Sequence, residues 1–379
     1  MIPYSRQQIN KLDIKNVNKV LTSNFLTTGP EVDKFERKLN SFCGSKHAVV
    51  TSSASASLHI ACLALGLKKK DIVWTSPITF VSTASAVLHC GAEVDFVDID
   101  KETFNLSIEN LKIKLKKAKK KNKLPKIIIP VHLAGNPCDM KSLKLLAKKY
   151  KFKIIEDASH ALGSRIGSQK IGNSKYSDIT VFSFHPVKII TTGEGGATLT
   201  NNKTLSDKIR SLREHGIERN RLNFKYKLSN PWYYEQQTLG FNYRLNDIQA
   251  SLGLSQLNRA KLFLKERNKI ANIYKRSFKF LNLSFQKVDI NNYSSYHLFI
   301  GLFPPKKRLE IFKELRKNKF FVNLHYIPLF LHPIYRKKFK SKLFPNSMEY
   351  YQRAISLPIY PNLKRKNIEK VIKIIKKKI

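Results

Sequence analysis

The stretch KIIIPVHLAGNPCDMKSLKLLAKKYKFKIIED, residues 126–157, decides how the chain folds. A β-branched apolar run (Lys126–His132) leads to a helical pattern (Asp139–Tyr150) and then to a second apolar run, Lys153–Glu156. Neither run alternates apolar with polar residues, so each is expected to be buried on both faces. A helix between two such runs is a strand–helix–strand crossover. The same rhythm extends upstream. Lys46–Ser52 precedes a helical pattern at Ser57–Gly66, and Asp71–Ser76 precedes one at Thr79–His89 that stops at Cys90-Gly91. Glu93–Ile99 precedes a Lys-rich helix ending before Pro125. Downstream, Asp178–Phe184 and Gly196–Thr200 lie close together, as in a hairpin, so one antiparallel strand is expected in a sheet that is otherwise parallel.

After about residue 255 the pattern changes to a long helix (Leu257 to Phe280), a strand-like Tyr296–Leu302, a helix over Lys306–Asn318, a loop from His325 to Pro333 and a closing helix. The expectation is an α/β protein with a large domain over residues 1–255 and a smaller α+β domain over 256–379. Residues 1–30 contribute on the side of the small domain.

Composition excludes several classes. Of 379 residues, 42% are hydrophobic and 11% aromatic, enough for a core and too many for wholesale disorder. No run of about 18 apolar residues is present, so no membrane span is expected. The start, MIPYSRQQINKLD, lacks the apolar core of a secretory signal, and Cys43, Cys62, Cys90 and Cys138 form neither a CxxC pair nor a disulfide framework. A reducing cytoplasm is the expected location. The ten histidines show no HxxxH or HExxH spacing, so no metal is expected.

The formal charge of +43 raises the possibility of nucleic-acid binding. The details oppose it. The cations are 54 Lys and 16 Arg, whereas phosphate and base readers lean on the Arg fork. Most of the lysines sit on polar faces of helical patterns, where Lys is a good helix former and a solvated surface residue. No nucleic-acid partner is expected.

Three segments end in polar residues where a parallel sheet places its site, at the carboxyl ends of strands. Ser52-Ser53-Ala54-Ser55-Ala56-Ser57 runs from a strand into a helix, a turn able to present backbone N–H groups to a phosphate; an ordinary Ser cap gives the same pattern. Glu156-Asp157-Ala158-Ser159-His160 puts a carboxylate at the end of an apolar strand, which alone reads as a helix cap. The third is SFHPVKIITTGEGG, residues 183–196, where Lys188 lies between an apolar strand and a Gly-rich turn. Partial desolvation there favours the neutral amine that a Schiff base needs. A phosphate-type turn, a strand-end Asp, a Lys and an aromatic Phe80 after another strand are together the components of a pyridoxal-phosphate (PLP) site.

The chain resembles the DegT/DnrJ/EryC1/StrS sugar aminotransferases, fold-type I PLP enzymes acting on keto-sugar nucleotides. The resemblance runs from Ile2 to the end and is densest from Gly29 to Leu257. It is carried by FLTTGP, WTSPITFVSTA, GAEVDFVDID, VHLAGNPCDM, EDASHA and HYIPLF, and most specifically by SDITVFSFHPVKIITTGEGG and WYYEQQTLGFNYRLNDIQASLGLSQL. Within the family these blocks are most similar to the pseudaminic acid branch, whose reaction turns a UDP-linked N-acetylated 4-keto-6-deoxy-L-hexose into the 4-amino sugar.

The resemblance implies a mostly parallel seven-stranded sheet in the large domain, PLP as cofactor, L-glutamate as amino donor and a UDP-linked 4-keto sugar as acceptor. It also implies roles for individual residues. Lys188 forms the Schiff base and shuttles the proton, Asp157 pairs with the protonated pyridine nitrogen, and His160 lies near the ring's 3-oxygen. Ala54, Ser55 and Ser183 bind the phosphate, and Phe80 stacks on the ring. Asn242 reaches the cofactor phosphate of the neighbouring subunit, so a homodimer with shared active sites is implied. His325 and Tyr326, with Tyr4, lie on the substrate side. Two positions depart from the family: Ala54-Ser55 stands where Gly-Thr is common, and His185 replaces other polar or aromatic residues. Ser keeps the hydroxyl and Ala still lets the backbone approach, so phosphate binding is retained.

Two other readings share the fold. Relatives that dehydrate the sugar carry His in place of the Schiff-base Lys, and the presence of Lys188 favours transamination. A perosamine-type GDP sugar or a UDP-linked 4-keto-D-hexose would use the same chemistry.

Overall fold

A computed structural model describes residues 1–226 and 230–379. Seven strands form the main sheet: β1 (His47–Thr51), β2 (Ile72–Thr75), β3 (Glu93–Phe96), β4 (Ile127–Ile129), β5 (Lys153–Asp157), β6 (Ile179–Ser183) and β7 (Gly196–Thr200). Their order is β1-β7-β6-β5-β4-β2-β3. All pairs are parallel except the two made by β7, which runs antiparallel to β1 and β6. The expected single antiparallel strand is therefore present, and the loop 184–195 joining β6 to β7 carries Lys188.

The apolar runs are buried on both faces, and their side chains sort by parity. Ile127, Ile129 and Ile155 enter a core with Leu58, Ala61 and Ala84, on helices α1 (Ala54–Ala64) and α2 (Val81–His89). Ile128 and Ile154 enter another with Leu111, Leu115 and Leu143, on α3 (Ile108–Lys120) and α4 (Met140–Tyr150). This alternation fixes the fate of two adjacent carboxylates. Glu156 lies on the α3–α4 face, bound by His132 Nε2 (2.8 Å), the Thr180 hydroxyl (3.0 Å) and the Ser177 hydroxyl. Asp157 lies on the α1–α2 face, at the end of β5.

Three helices lie outside the strand–helix rhythm: Lys11–Leu21, Pro30–Cys43 and Lys203–Arg213. They are amphipathic segments held by side chains rather than by crossover geometry. Buried Glu36 binds Arg210 (2.5 Å) and Arg213 (2.9 Å), and Asp247 accepts from the Gly29 and Glu31 amides at 2.8 Å each. The expected long helix over 257–280 is present as α6 (Ala260–Ser277), and a separate helix, α5 (Asp247–Asn258), precedes it. The two meet at Arg259 (φ −101°, ψ 0°), whose guanidinium is drawn to the buried carboxylate of Asp13.

Helix α6 serves two cores. Ala260, Phe263 and Leu264 pack with Phe35, Phe182 and Phe184 of the main sheet layer, whereas Ile270, Tyr274 and Phe278 pack with Phe299, Ile311, Ile355 and Ile372. The second core lies under a three-stranded antiparallel sheet of Ser284–Phe285, Phe299–Leu302 and Ala354–Leu357. The chain start splits its contacts. Ile2 and Pro3 pair with Phe320 and Phe321, but helix Lys11–Leu21 lies along α5.

Candidate active site

A cavity of about 630 Å³ opens where β1, β5 and β6 end, closed on one side by the segment 323–326. The strand-to-helix turn Ser53-Ala54-Ser55 forms one wall. Ser53 caps α1, its side chain accepting from the Ala56 amide, while the amides of Ala54 and Ser55 meet no acceptor among the described residues. These free N–H groups, with the helix dipole behind them, favour an anion. Gly196 makes this turn possible: a Cβ there would sit 2.5 Å from the Ala54 nitrogen, so only glycine lets β7 pass directly beneath it.

Lys188 faces this turn from the β6–β7 loop. Burial pushes its ammonium down to about 8, against the opposing pull of the Asp157 carboxylate. Asp157 is 4% exposed, and its carboxylate accepts from the Thr83 hydroxyl (2.7 Å) and from the Ser159 amide (3.2 Å). The site thus holds a readily deprotonated amine close to a buried, hydrogen-bonded carboxylate.

His160 has a fixed tautomer. Its Nδ1 accepts the Ala134 amide at 3.2 Å, and its Nε2 lies 3.1 Å from the Tyr326 hydroxyl. Burial, reinforced by Lys188 and His325, holds the ring well below the usual histidine range. A neutral ring with Nδ1 occupied by a donor carries its proton on Nε2, so His160 donates towards Tyr326 and the cavity. The Tyr326 hydroxyl keeps its own proton for another acceptor. The turn aiming the Ala134 amide has left-handed backbone at Ala134 (φ 59°) and Gly135 (φ 91°), and a Cβ at 135 would sit 2.0 Å from Ser295 Oγ. His325, pushed by burial to about 3, bonds Ser356 Oγ through Nδ1 (2.9 Å) and packs against Tyr4 with the rings tilted by 58° and their centroids 4.5 Å apart.

Of the residues singled out from sequence, Tyr4, Ala54, Ser55, Phe80, Asp157, His160, Ser183, Lys188, His325 and Tyr326 all line this one cavity. Asn242 does not. It is exposed, bridged to Glu214 on the outer surface. The structure adds Thr79, Ser82, Ser159, His185 and Glu194 to the lining. Thr79 and Ser82 lie inside the quoted WTSPITFVSTA block, where hydroxyls before a helix read as caps. Lys188 is the single Lys or Arg among the described lining residues, beside Asp157 and Glu194, so the overall charge is not concentrated here. Among the described residues no group of three or more His, Cys, Asp or Glu is placed to hold a metal ion, and no helix is long and apolar enough to cross a membrane.

The fold and this site define a member of a known enzyme class. The model of the DegT/DnrJ/EryC1/StrS aminotransferase family matches residues 7–376, and the chain belongs to that family. It is 38% identical over 372 residues to the UDP-4-amino-4,6-dideoxy-N-acetyl-beta-L-altrosamine transaminase of Campylobacter jejuni, covering 97% of this chain and 94% of that protein. Among solved structures it superposes on Helicobacter pylori PseC, an aminotransferase involved in the biosynthesis of pseudoaminic acid. The TM-score there is 0.90, with 31% identity and coverage of 100% of this chain and 98% of that one. It superposes equally on Streptococcus pneumoniae Spr1654 in its PLP-form (TM-score 0.89, 28% identity, 100% and 99% covered).

Proposed function

We propose that this aminotransferase uses PLP to move the amino group of L-glutamate to C4 of UDP-2-acetamido-2,6-dideoxy-β-L-arabino-hexos-4-ulose, giving UDP-4-amino-4,6-dideoxy-N-acetyl-β-L-altrosamine. The observation that carries the reading is Lys188, a desolvated amine set between an anion-binding helix terminus and a buried carboxylate. The similarity to the Campylobacter and Helicobacter proteins supports the choice of sugar.

The residues present fit PLP. The Ala54 and Ser55 amides, with the Ser55 and Ser183 hydroxyls, would hold its phosphate, Asp157 its pyridine nitrogen, His160 Nε2–H its 3-oxygen, and Phe80 its ring face. When bound, the cofactor supplies the electron sink that lets a C–H bond next to nitrogen ionise. Lys188 Nζ then takes and returns that proton, a task suited to an amine poised near neutrality. Tyr4, His325 and Tyr326 would close the substrate side, the two tyrosines offering hydroxyls to the sugar. Residues 1–255 would form the cofactor-binding unit and 256–379 the smaller unit supplying this side.

The lowered Lys188 value has a measurable consequence. Capture of PLP by the cofactor-free protein should speed up by about tenfold per pH unit below about 8 and level off above it, following the neutral amine. Stopped-flow absorbance reads this directly. A rate still climbing at pH 10 would mean an ordinary solvated lysine.

We further propose a homodimer with shared sites, in which Asn242 completes the partner's phosphate pocket. Supporting this, Leu222, Tyr226, Trp232, Tyr234 and Leu239 are all more than half exposed, apolar surface of the kind that marks an interface. Lys188→Ala and Asn242→Ala proteins, each impaired alone, should regain about a quarter of wild-type activity after mixing and subunit exchange, because one site of each mixed dimer is intact. No recovery after verified exchange would place Asn242 in its own subunit's site or in none.

The functional reading is tested by adding L-glutamate to the PLP-loaded enzyme. One equivalent of 2-oxoglutarate per site and loss of the visible band are expected, and an unchanged band with no keto acid would refute glutamate as donor.

A further inference from the structure

The cavity carboxylate is held by two residues that bind neither phosphate nor ring. Thr79 (1% exposed) and Thr83 (fully buried) sit four residues apart across the start of α2. Their hydroxyl oxygens are 2.8 Å apart, and Thr83 Oγ1 is 2.7 Å from Asp157 Oδ2. A carboxylate only accepts, so Thr83 spends its one proton on Asp157. The Thr79–Thr83 bond can then run one way only, with Thr79 as donor. The result is a directed chain from Thr79 to Thr83 to Asp157 Oδ2.

We propose that Thr79 and Thr83 are positioning residues that fix the plane of the Asp157 carboxylate for the pyridine nitrogen; this rests on the PLP reading above. The physical need is specific. A carboxylate buried at the end of a central strand needs donors for its lone pairs, and it meets a ring nitrogen well in one plane only. Among the described residues, the donors to Asp157 are the Thr83 hydroxyl and the Ser159 amide, and the amide is the longer bond at 3.2 Å. Thr83 is therefore the stronger of the two. Polarisation by Thr79 strengthens it further, since hydrogen bonds in series reinforce one another in a low dielectric. The same turn carries Phe80: the Thr83 amide bonds the Phe80 carbonyl at 3.2 Å, so the ring that faces the cavity and the hydroxyls behind it are set by one helix start. A Ser or Thr used only as a cap would bond a backbone amide of its own helix. Neither hydroxyl does so here.

The test is the dissociation constant for PLP of the full chain, measured by equilibrium dialysis with absorbance. Thr83→Val, nearly the same shape without the hydroxyl, should weaken binding by about tenfold, the loss expected for a hydrogen bond to a charged group. Thr83→Ser should restore it to within about twofold, and Thr79→Val should weaken it by about threefold. In an Asp157→Asn background, Thr83→Val should have no further effect on the constant, which a merely structural role would not produce. If Thr83→Val fails to fold, Thr79→Val alone decides, because it leaves Thr83 on the carboxylate. Unchanged binding in both Val variants, or an equal loss with and without Asp157, would overturn the relay while wild-type uptake of PLP keeps the cofactor reading. If the wild-type chain takes up no PLP, the cofactor reading itself fails and the relay with it.

Discussion

Replacement of Lys188 by Ala is expected to lower transamination by at least about 10⁴-fold, the upper range for a single acid–base group, and to abolish the visible absorbance of lysine-bound PLP. Both effects follow from one atom. In the proposed reading Nζ is both the amine that anchors the cofactor and the base that moves the proton, and no second Lys or Arg among the described residues lines the cavity to replace it. The alternatives nearby are poor. His160 is held neutral with Nδ1 committed to the Ala134 amide, and His325 is pushed to about 3 with Nδ1 against Ser356 Oγ. An exogenous amine such as methylamine should recover part of the proton transfer without restoring the covalent band. A Lys188→Ala enzyme retaining a tenth of wild-type turnover would remove Lys188 from the chemistry.

The second large effect is at Asp157. Asp157→Asn keeps the shape but removes the charge proposed to stand opposite the pyridine nitrogen, which is needed for the ring to draw electrons. A loss of about 10³-fold in kcat is expected, within the range for groups acting on the transition state. KM for the sugar nucleotide should change little, because in the proposed reading Asp157 serves the cofactor and Tyr4, His325 and Tyr326 serve the substrate. Steady-state kinetics separate the two. Loss confined to KM would assign Asp157 to substrate binding. Asp157→Asn should also still show the Lys188-dependent band, which distinguishes it from the first variant.

Why some of this could be read from sequence and some could not has physical causes. The sheet was legible because runs such as Ile127–Ile129 and Ala48–Val50 are apolar at every position, the mark of strands covered on both faces. Lys188, Asp157 and the Ser53–Ser55 turn were legible because strand ends of a parallel sheet converge on one edge, so polar residues at those ends must meet. The helices Lys11–Leu21, Pro30–Cys43 and Lys203–Arg213 were not, because nothing in a strand–helix rhythm requires them. The ion pairs that seat them, such as Glu36 with Arg213, join residues 177 apart. The ion pair between Arg259, at the junction of α5 and α6, and Asp13 was hidden for the same reason, since its partners lie 246 residues apart. Thr79 and Thr83 were invisible as functional groups because a hydroxyl at a helix start has an ordinary local use. Asn242 stays outside the cavity of its own chain, which a shared site requires but a single chain cannot display.

The central claim is tested most directly by incubating the PLP-loaded enzyme with L-glutamate and UDP-2-acetamido-2,6-dideoxy-β-L-arabino-hexos-4-ulose, then identifying the products by mass and NMR. The expected products are 2-oxoglutarate and the UDP-linked 4-amino-4,6-dideoxy-L-altrose derivative in equal amounts, with none formed by Lys188→Ala. An enzyme that leaves this keto sugar unchanged and aminates a GDP-linked or D-configured 4-keto sugar instead would contradict the assigned substrate, and one that aminates no 4-keto sugar nucleotide at all would contradict the reaction.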